Sequence, residues 1–340
     1  MVYFVFRIWY HSPMARIKAL RYVLLPLFIS AIFFVIPFFW LKPGVMDLGG
    51  DSSRLYFYDP IHYLFSQSLF SISHSGLGSE NASYYTIPLI SLFILLKSLI
   101  NSSTLLISGF HGMSLSVAFL SCYLIVKSFY YQNPEKGRHS NKLIVEMASI
   151  IAGLFYNLSP VPILGWGYVI LTYNQVFLNP LMFLLLLCFF TTRNMRYMLG
   201  ALLISFIFAP NFTYVGAPSF FAFYPLALIF LFIYTKYIRR TPIPWKKLVI
   251  GVILFFLLQS FHLVPQIMGL LSPGSSISQS VFSAEAKFNR GLAYFSAIAP
   301  SVKASISLLS QPQLTNIVSF SWLFIIFPAL FVIGFIWNKQ

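Results

Sequence analysis

Seven acidic residues serve the whole chain, and four of them, Asp47, Asp51, Asp59 and Glu80, fall in one short stretch. The segment MDLGGDSSRLYFYDP sets Gly49 and Gly50 directly before Asp51, where they permit a tight turn that holds the carboxylate close to the end of the first apolar run. A carboxylate at a water–lipid boundary is partly desolvated and becomes a stronger proton acceptor, which suits Asp51 to act as a general base on a hydroxyl group. Asp59 or Asp47 would then position the acceptor or orient the base. Asp59 has a second reading of equal standing, a helix N-cap ahead of Pro60 at the first helical position. His62 lies about one helical turn beyond Asp59 and either shares its site or is a solvated surface residue. Arg54, Lys287 and Arg290 are loop cations whose donors match phosphate oxygens, with lipid headgroups or plain solvent as the simpler partners. The plainest reading of the acidic stretch is that acids gather wherever a membrane protein meets outer water.

Other chemistries find little here. The six histidines show no metal-ligand spacing, and no glycine-rich phosphate loop follows a strand. A divalent cation held by Asp47, Asp51 and an incoming phosphate is compatible with the sequence, which does not specify one. Cys122 and Cys188 both sit in apolar runs, as small packing residues do. Tripeptides beginning at Asn81, Asn101, Asn157 and Asn211 fit the N-glycosylation pattern, which is short enough to arise by chance.

The elements that must position these residues are set by composition. Of 340 residues, 58% are hydrophobic and 9% charged, with a mean hydropathy of +0.80; too few charges remain to cover a water-exposed surface. Long unalternated apolar runs exclude a β-barrel, so the expected fold is all-α, a polytopic helical membrane protein. Apolar windows fall near residues 21–41, 104–127, 143–158, 175–192, 197–210, 217–237, 247–265 and 319–337, predicting eight transmembrane helices. Residues 85–100, with Pro88 and Lys97, are barely long enough to cross and read as a helix on the outer membrane surface. Charge counting decides the point. With that helix outside the bilayer, sixteen of the 22 Lys and Arg fall on one side against Glu135 and Glu146, and six on the other against five acids. That bias places both termini in the cytoplasm. The net charge of +15 is therefore an orientation signal spread in short clusters between spans, not a nucleic-acid footprint. The chain reads as one membrane-embedded domain, residues 1–340, with long outer loops at 42–103 and 266–318; loops of that length usually carry function. The amphipathic stretch SAEAKFNRGLAYFSAIAP in the second is a candidate lid. Met14 opens a conventional basic lead into the first span, so residues 1–13 read equally as an upstream extension.

This order resembles the membrane glycosyltransferases of the GT-C class: a first span, an outer loop opening with an Asp, an Asp-Pro eight residues later, a surface helix introduced by aromatic residues and Pro, and a second span. The nearest likeness is to the arabinofuranosyltransferases of the mycobacterial type, whose loop pattern falls here on Asp51 and Asp59-Pro60. IIAGLFYNLSPVPILGWGY resembles their third span, and NQVFLNPLMFLLLL the Pro-containing start of the next. The likeness covers roughly residues 20–192; Ser52, Ser53 and Arg54 depart from it, and family members carry more spans, which makes this chain look truncated or minimal. The resemblance implies a polyprenyl-phosphate sugar donor, a glycan or glycolipid acceptor, inversion at the anomeric carbon, and a greasy groove for the prenyl tail. The alternatives are a lipid or polysaccharide transporter or flippase, and a non-catalytic assembly subunit of the same fold.

Overall fold

The structure, a computed structural model, describes residues 13–40, 55–68, 86–131, 142–158, 170–213 and 223–271. The chain divides into two compact units, Met1–Gly269 and Leu270–Gln340, and nearly all described residues belong to the first. Those residues are helical, with no strand among them. In chain order the elements are α1 (Pro13–Val35) running into a 3-10 turn, the short α2 (Leu55–Tyr58) and α3 (Pro60–Tyr63), α4 (Ile87–Leu99), α5 (Ser103–Tyr131) and α6 (Lys142–Leu158). They continue with α7 (Ile170–Thr192), α8 (Met195–Ile207), α9 (Pro210–Thr213), α10 (Phe223–Ile233) with a wider final turn to Ile238, and α11 (Trp245–Leu271).

Seven of the apolar windows coincide with helices; the eighth, 319–337, lies outside the described residues. Among the described residues three helical stretches, Ser103–Tyr130, Asn174–Thr192 and Trp245–Met268, are long and apolar enough to cross a bilayer. α4 and α8 have 13 residues each, about 20 Å against a hydrocarbon core of about 30 Å, and Val23–Phe39 and Phe223–Ile238 are likewise shorter apolar helices, so length does not separate α4 from the windows read as spans.

Exposure is inverted relative to a water-soluble helix bundle. On α11, Ile253, Phe256 and Leu257 are more than half exposed, while Gln259 and His262 are fully buried and Gln266 nearly so. An apolar outside with polar groups turned inward is what a lipid surrounding demands.

α5 is the hub, packed on α1, α6 and α7. Two glycines permit this. A Cβ at Gly112 would lie 2.2 Å from the Phe34 carbonyl oxygen of α1, and one at Gly153 of α6 would lie 2.7 Å from the Phe119 ring of α5. Small residues at helix crossings let backbones approach in lipid. Ser116 Oγ of α5 then donates to the Ser30 carbonyl of α1 at 2.7 Å, and Asn157 Nδ2 of α6 to the Leu115 carbonyl of α5 at 2.7 Å.

α7 contains Pro180, whose missing N–H leaves the Val176 carbonyl without its helical donor. The Tyr156 hydroxyl of α6 supplies one at 2.8 Å. A proline that would otherwise open the helix is thereby turned into a contact between α6 and α7.

One ion pair is buried between α5 and α6. Lys127 Nζ lies 2.9 Å from Glu146 Oε2, and the Tyr123 hydroxyl donates to Glu146 Oε1 while accepting from Lys127. The pair sits one helical turn from the Tyr131 end of α5 and from the Lys142 end of α6. A charge in that position is tolerable only because each partner satisfies the other.

Candidate functional site

The acidic segment is held by aromatics. Tyr56 and Phe57 of α2 are buried, Phe57 fully, with ring centroids 5.3 Å and 4.4 Å from Phe93 of α4, and Phe57 lies 5.6 Å from Phe110 of α5. Four aromatic rings thus pin a short segment to one end of the bundle, each pair at the tilted or edge-on geometry that rings prefer. The run LYFYDPIHY alternates these anchors with the residues left at the surface, Asp59 and His62.

Asp59 is exposed and caps α3: its carboxylate accepts from the His62 backbone N–H at 3.0 Å, with Pro60 at the first helical position. The capping reading therefore describes Asp59 as it stands, and a further role must coexist with it. His62 is exposed one turn on, its backbone rather than its ring meeting Asp59. Tyr63, half-buried beside them, has its phenol pushed up by burial. Asp47, Asp51, Arg54, Lys287 and Arg290, together with the lid candidate in 266–318 past Leu271, lie outside the described residues. Among the described residues no three His, Cys, Asp or Glu side chains are grouped to hold a metal ion.

The same end of the bundle gathers buried polar side chains that the sequence reading did not assign to a site. They include His111 of α5, Asn157 of α6, Asn174 of α7 and Asn211 of α9, all with 2% exposure or less. On α11, Gln259 Nε2 donates to the Ser205 carbonyl at 2.7 Å, and Gln266 pairs with His262 Nδ1 at 2.5 Å. Asn174 stands apart: neither end of its fully buried amide has a hydrogen-bond partner among the described residues, and the Tyr224 hydroxyl is likewise without one. Buried polar groups are nearly always paired, so such exceptions mark places where a ligand can bond. The NQ at the head of the α7 apolar run was the available signal. Asn157 and Asn211 are too buried to accept a glycan, which leaves their tripeptides as chance matches. Cys122 and Cys188 are both free thiols.

Below this polar end runs an apolar cleft of about 430 Å³ between α7, α8, α10 and α11, lined by Met182, Leu186, Met198, Leu202, Phe255 and Phe256, with Ser205, Phe212 and Tyr224 toward the polar end. Ser205 and Tyr224 are the polar side chains among its lining residues, and the Ser205 hydroxyl donates to the Leu202 carbonyl at 2.8 Å. A lining this apolar suits a segment of hydrocarbon chain rather than a sugar. Comparison with models of known protein families, with curated proteins and with solved structures gave no match.

Proposed function

We propose that this chain is a polytopic membrane glycosyltransferase that takes a sugar from a polyprenyl-phosphate donor and passes it to a glycan or lipid-linked acceptor at the outer face of the cell membrane. The observation that supports this best is the pairing of an apolar cleft with a polar end: hydrocarbon lining over most of its length, with Ser205 and Tyr224 in its wall and Tyr224 in the same buried core as Tyr56 and Phe57 of the segment that carries Asp59. That is the shape of an amphiphile, a lipid tail below and a hydroxylated head above.

In this reading Asp51 takes the proton from the acceptor hydroxyl as its oxygen bonds to the anomeric carbon. The bond from that carbon to the phosphate oxygen breaks on the opposite face, inverting the centre and releasing the polyprenyl phosphate as an anion. Arg54, Lys287 and Arg290 neutralise that anion, Asp59 and Asp47 orient acceptor or base, and His62 borders the acceptor. The chain crosses the membrane eight times with both termini cytoplasmic, and α4 rests on the outer surface.

The test replaces Asp51 by Asn, verifies insertion, and assays transfer from a panel of polyprenyl-phosphate sugars in proteoliposomes. Loss of transfer by about 100-fold or more is expected for a lost general base; retained transfer removes Asp51 from that role. The row of buried polar residues along one face of α11, Gln259, His262 and Gln266, favours one second reading, a lipid-linked glycan flippase with a polar path. In that case Asp51→Asn leaves lipid flipping intact. A wild-type chain that neither transfers nor flips is a non-catalytic assembly subunit.

A further inference from the structure

The opposite end of the bundle carries a second feature that the catalytic reading does not use. Between Arg193 and Lys247 lie seven cations, Arg193, Arg196, Lys236, Arg239, Arg240, Lys246 and Lys247, and no acid. The fold brings them together. Lys247 Nζ at the start of α11 donates to the Arg193 carbonyl in the α7–α8 turn at 2.6 Å, and Tyr234 at the end of α10 meets Phe129 of α5 with centroids 5.0 Å apart. Six of the seven cations are exposed; Arg239 is half-buried.

Three details separate this cluster from an ordinary scatter of inner-face charges. Both connecting turns pass through an arginine in the left-handed region, Arg193 at φ 56° and Arg240 at φ 53°, where glycine or asparagine would be relaxed. Second, the Thr235 hydroxyl, which is fully buried, and Arg239 Nη1, four residues on, have no hydrogen-bond partner among the described residues, although the Thr235 carbonyl accepts from the Thr241 N–H at 3.1 Å. A hydroxyl and a guanidinium unsatisfied four residues apart on one turn are matched by an anion that accepts from both. Third, the cations are ringed by exposed Tyr237, Ile238 and Trp245, and Lys236 lies over the Phe232 ring at 5.6 Å from its centroid. Aromatic and aliphatic side chains at the level of the charges suit a headgroup with acyl chains attached, and not a free ion.

We infer that the turn between α10 and α11, with the α7–α8 turn beside it, forms a binding site for the phosphate of an anionic phospholipid, received by Thr235 and Arg239. The inference stands on this end of the bundle alone and is independent of the glycosyltransferase reading. Full-length protein, delipidated in detergent, is titrated with dioleoyl phosphatidylglycerol and separately with dioleoyl phosphatidylcholine, with bound lipid counted by native mass spectrometry. The phosphatidylglycerol form binds about tenfold more tightly, because the phosphate shared by both lipids is offset in phosphatidylcholine by a quaternary ammonium that these cations repel. Arg239→Gln removes most of that preference, and Thr235→Val lowers it about threefold, the loss of one neutral hydrogen bond. Lys142→Gln, which deletes an exposed cation at the same end outside the site, changes it by less than about twofold. Equal affinity for both lipids overturns the inference, as do equal losses in Arg239→Gln and Lys142→Gln, which would mean diffuse charge attraction. Displacement of phosphatidylglycerol by inorganic phosphate at millimolar levels overturns the lipid assignment. Where Arg239→Gln fails to insert, Thr235→Val carries the test, and an unchanged preference in it sinks the site.

Discussion

Asp59 shows how one carboxylate can be assigned two roles that experiment can separate. As an N-cap it needs only an acceptor oxygen, and asparagine caps as well as aspartate, whereas alanine costs about 1 kcal/mol. Asp59→Asn should therefore unfold at the wild-type temperature in detergent and Asp59→Ala at a lower one. A carboxylate role in transfer adds a second signature, because Asp59→Asn would then lose activity without losing stability. Equal activity in the aspartate and asparagine forms would leave Asp59 a structural residue. Asn174 makes the converse case. Its buried amide has no partner within the described protein, so Asn174→Ala should hold or raise the unfolding temperature while raising the KM for acceptor or donor. A fall in stability with unchanged KM would show that the amide is bonded within the protein.

At the scale of elements, two contacts hold the helices that frame the site, and each predicts a pair of outcomes. Gly112 lies against the Phe34 backbone, while a Cβ at Gly109 would meet nothing nearer than the Phe38 ring at 4.0 Å. Gly112→Val is expected to cost about 3 kcal/mol or prevent assembly, since backbone cannot step aside. Gly109→Ala should be neutral or stabilise by up to about 1 kcal/mol through helix propensity. The Tyr156 hydroxyl compensates for Pro180, so Tyr156→Phe should cost about 1 kcal/mol in the wild type. In a Pro180→Ala background the helix closes its own bond and the same change should cost far less; additive losses would break the link. Local rules made part of this legible. Asp59-Pro60 announced a cap, the apolar windows announced helices, and the short run at 85–100 with Pro88 announced a short helix with proline in its first turn. What the sequence concealed were pairings across the fold: Gly112 with Phe34, Tyr156 with the carbonyl opened by Pro180, and the stacking of Phe212 on Tyr224 in the wall of one cleft. Such contacts depend on which helices become neighbours, and hydropathy carries no information about that.

The described helices of the first unit form a bundle with two chemically different ends. One holds the anchored acidic segment and the buried polar groups; the other holds the Lys127–Glu146 pair and a dense set of cations. The two ends sort by charge as an orientation across a membrane would sort them, and every functional assignment made for Asp51 requires that the first end faces outward. Replacing Cys122 and Cys188 by alanine and introducing single cysteines by Ser52→Cys and Ser140→Cys tests this directly. In intact cells a membrane-impermeant maleimide should label the cysteine at 52 and reach the one at 140 only after permeabilisation. Labelling of the 140 position in intact cells, with the 52 position protected until the membrane is opened, would put the acidic loop in the cytoplasm and contradict the account.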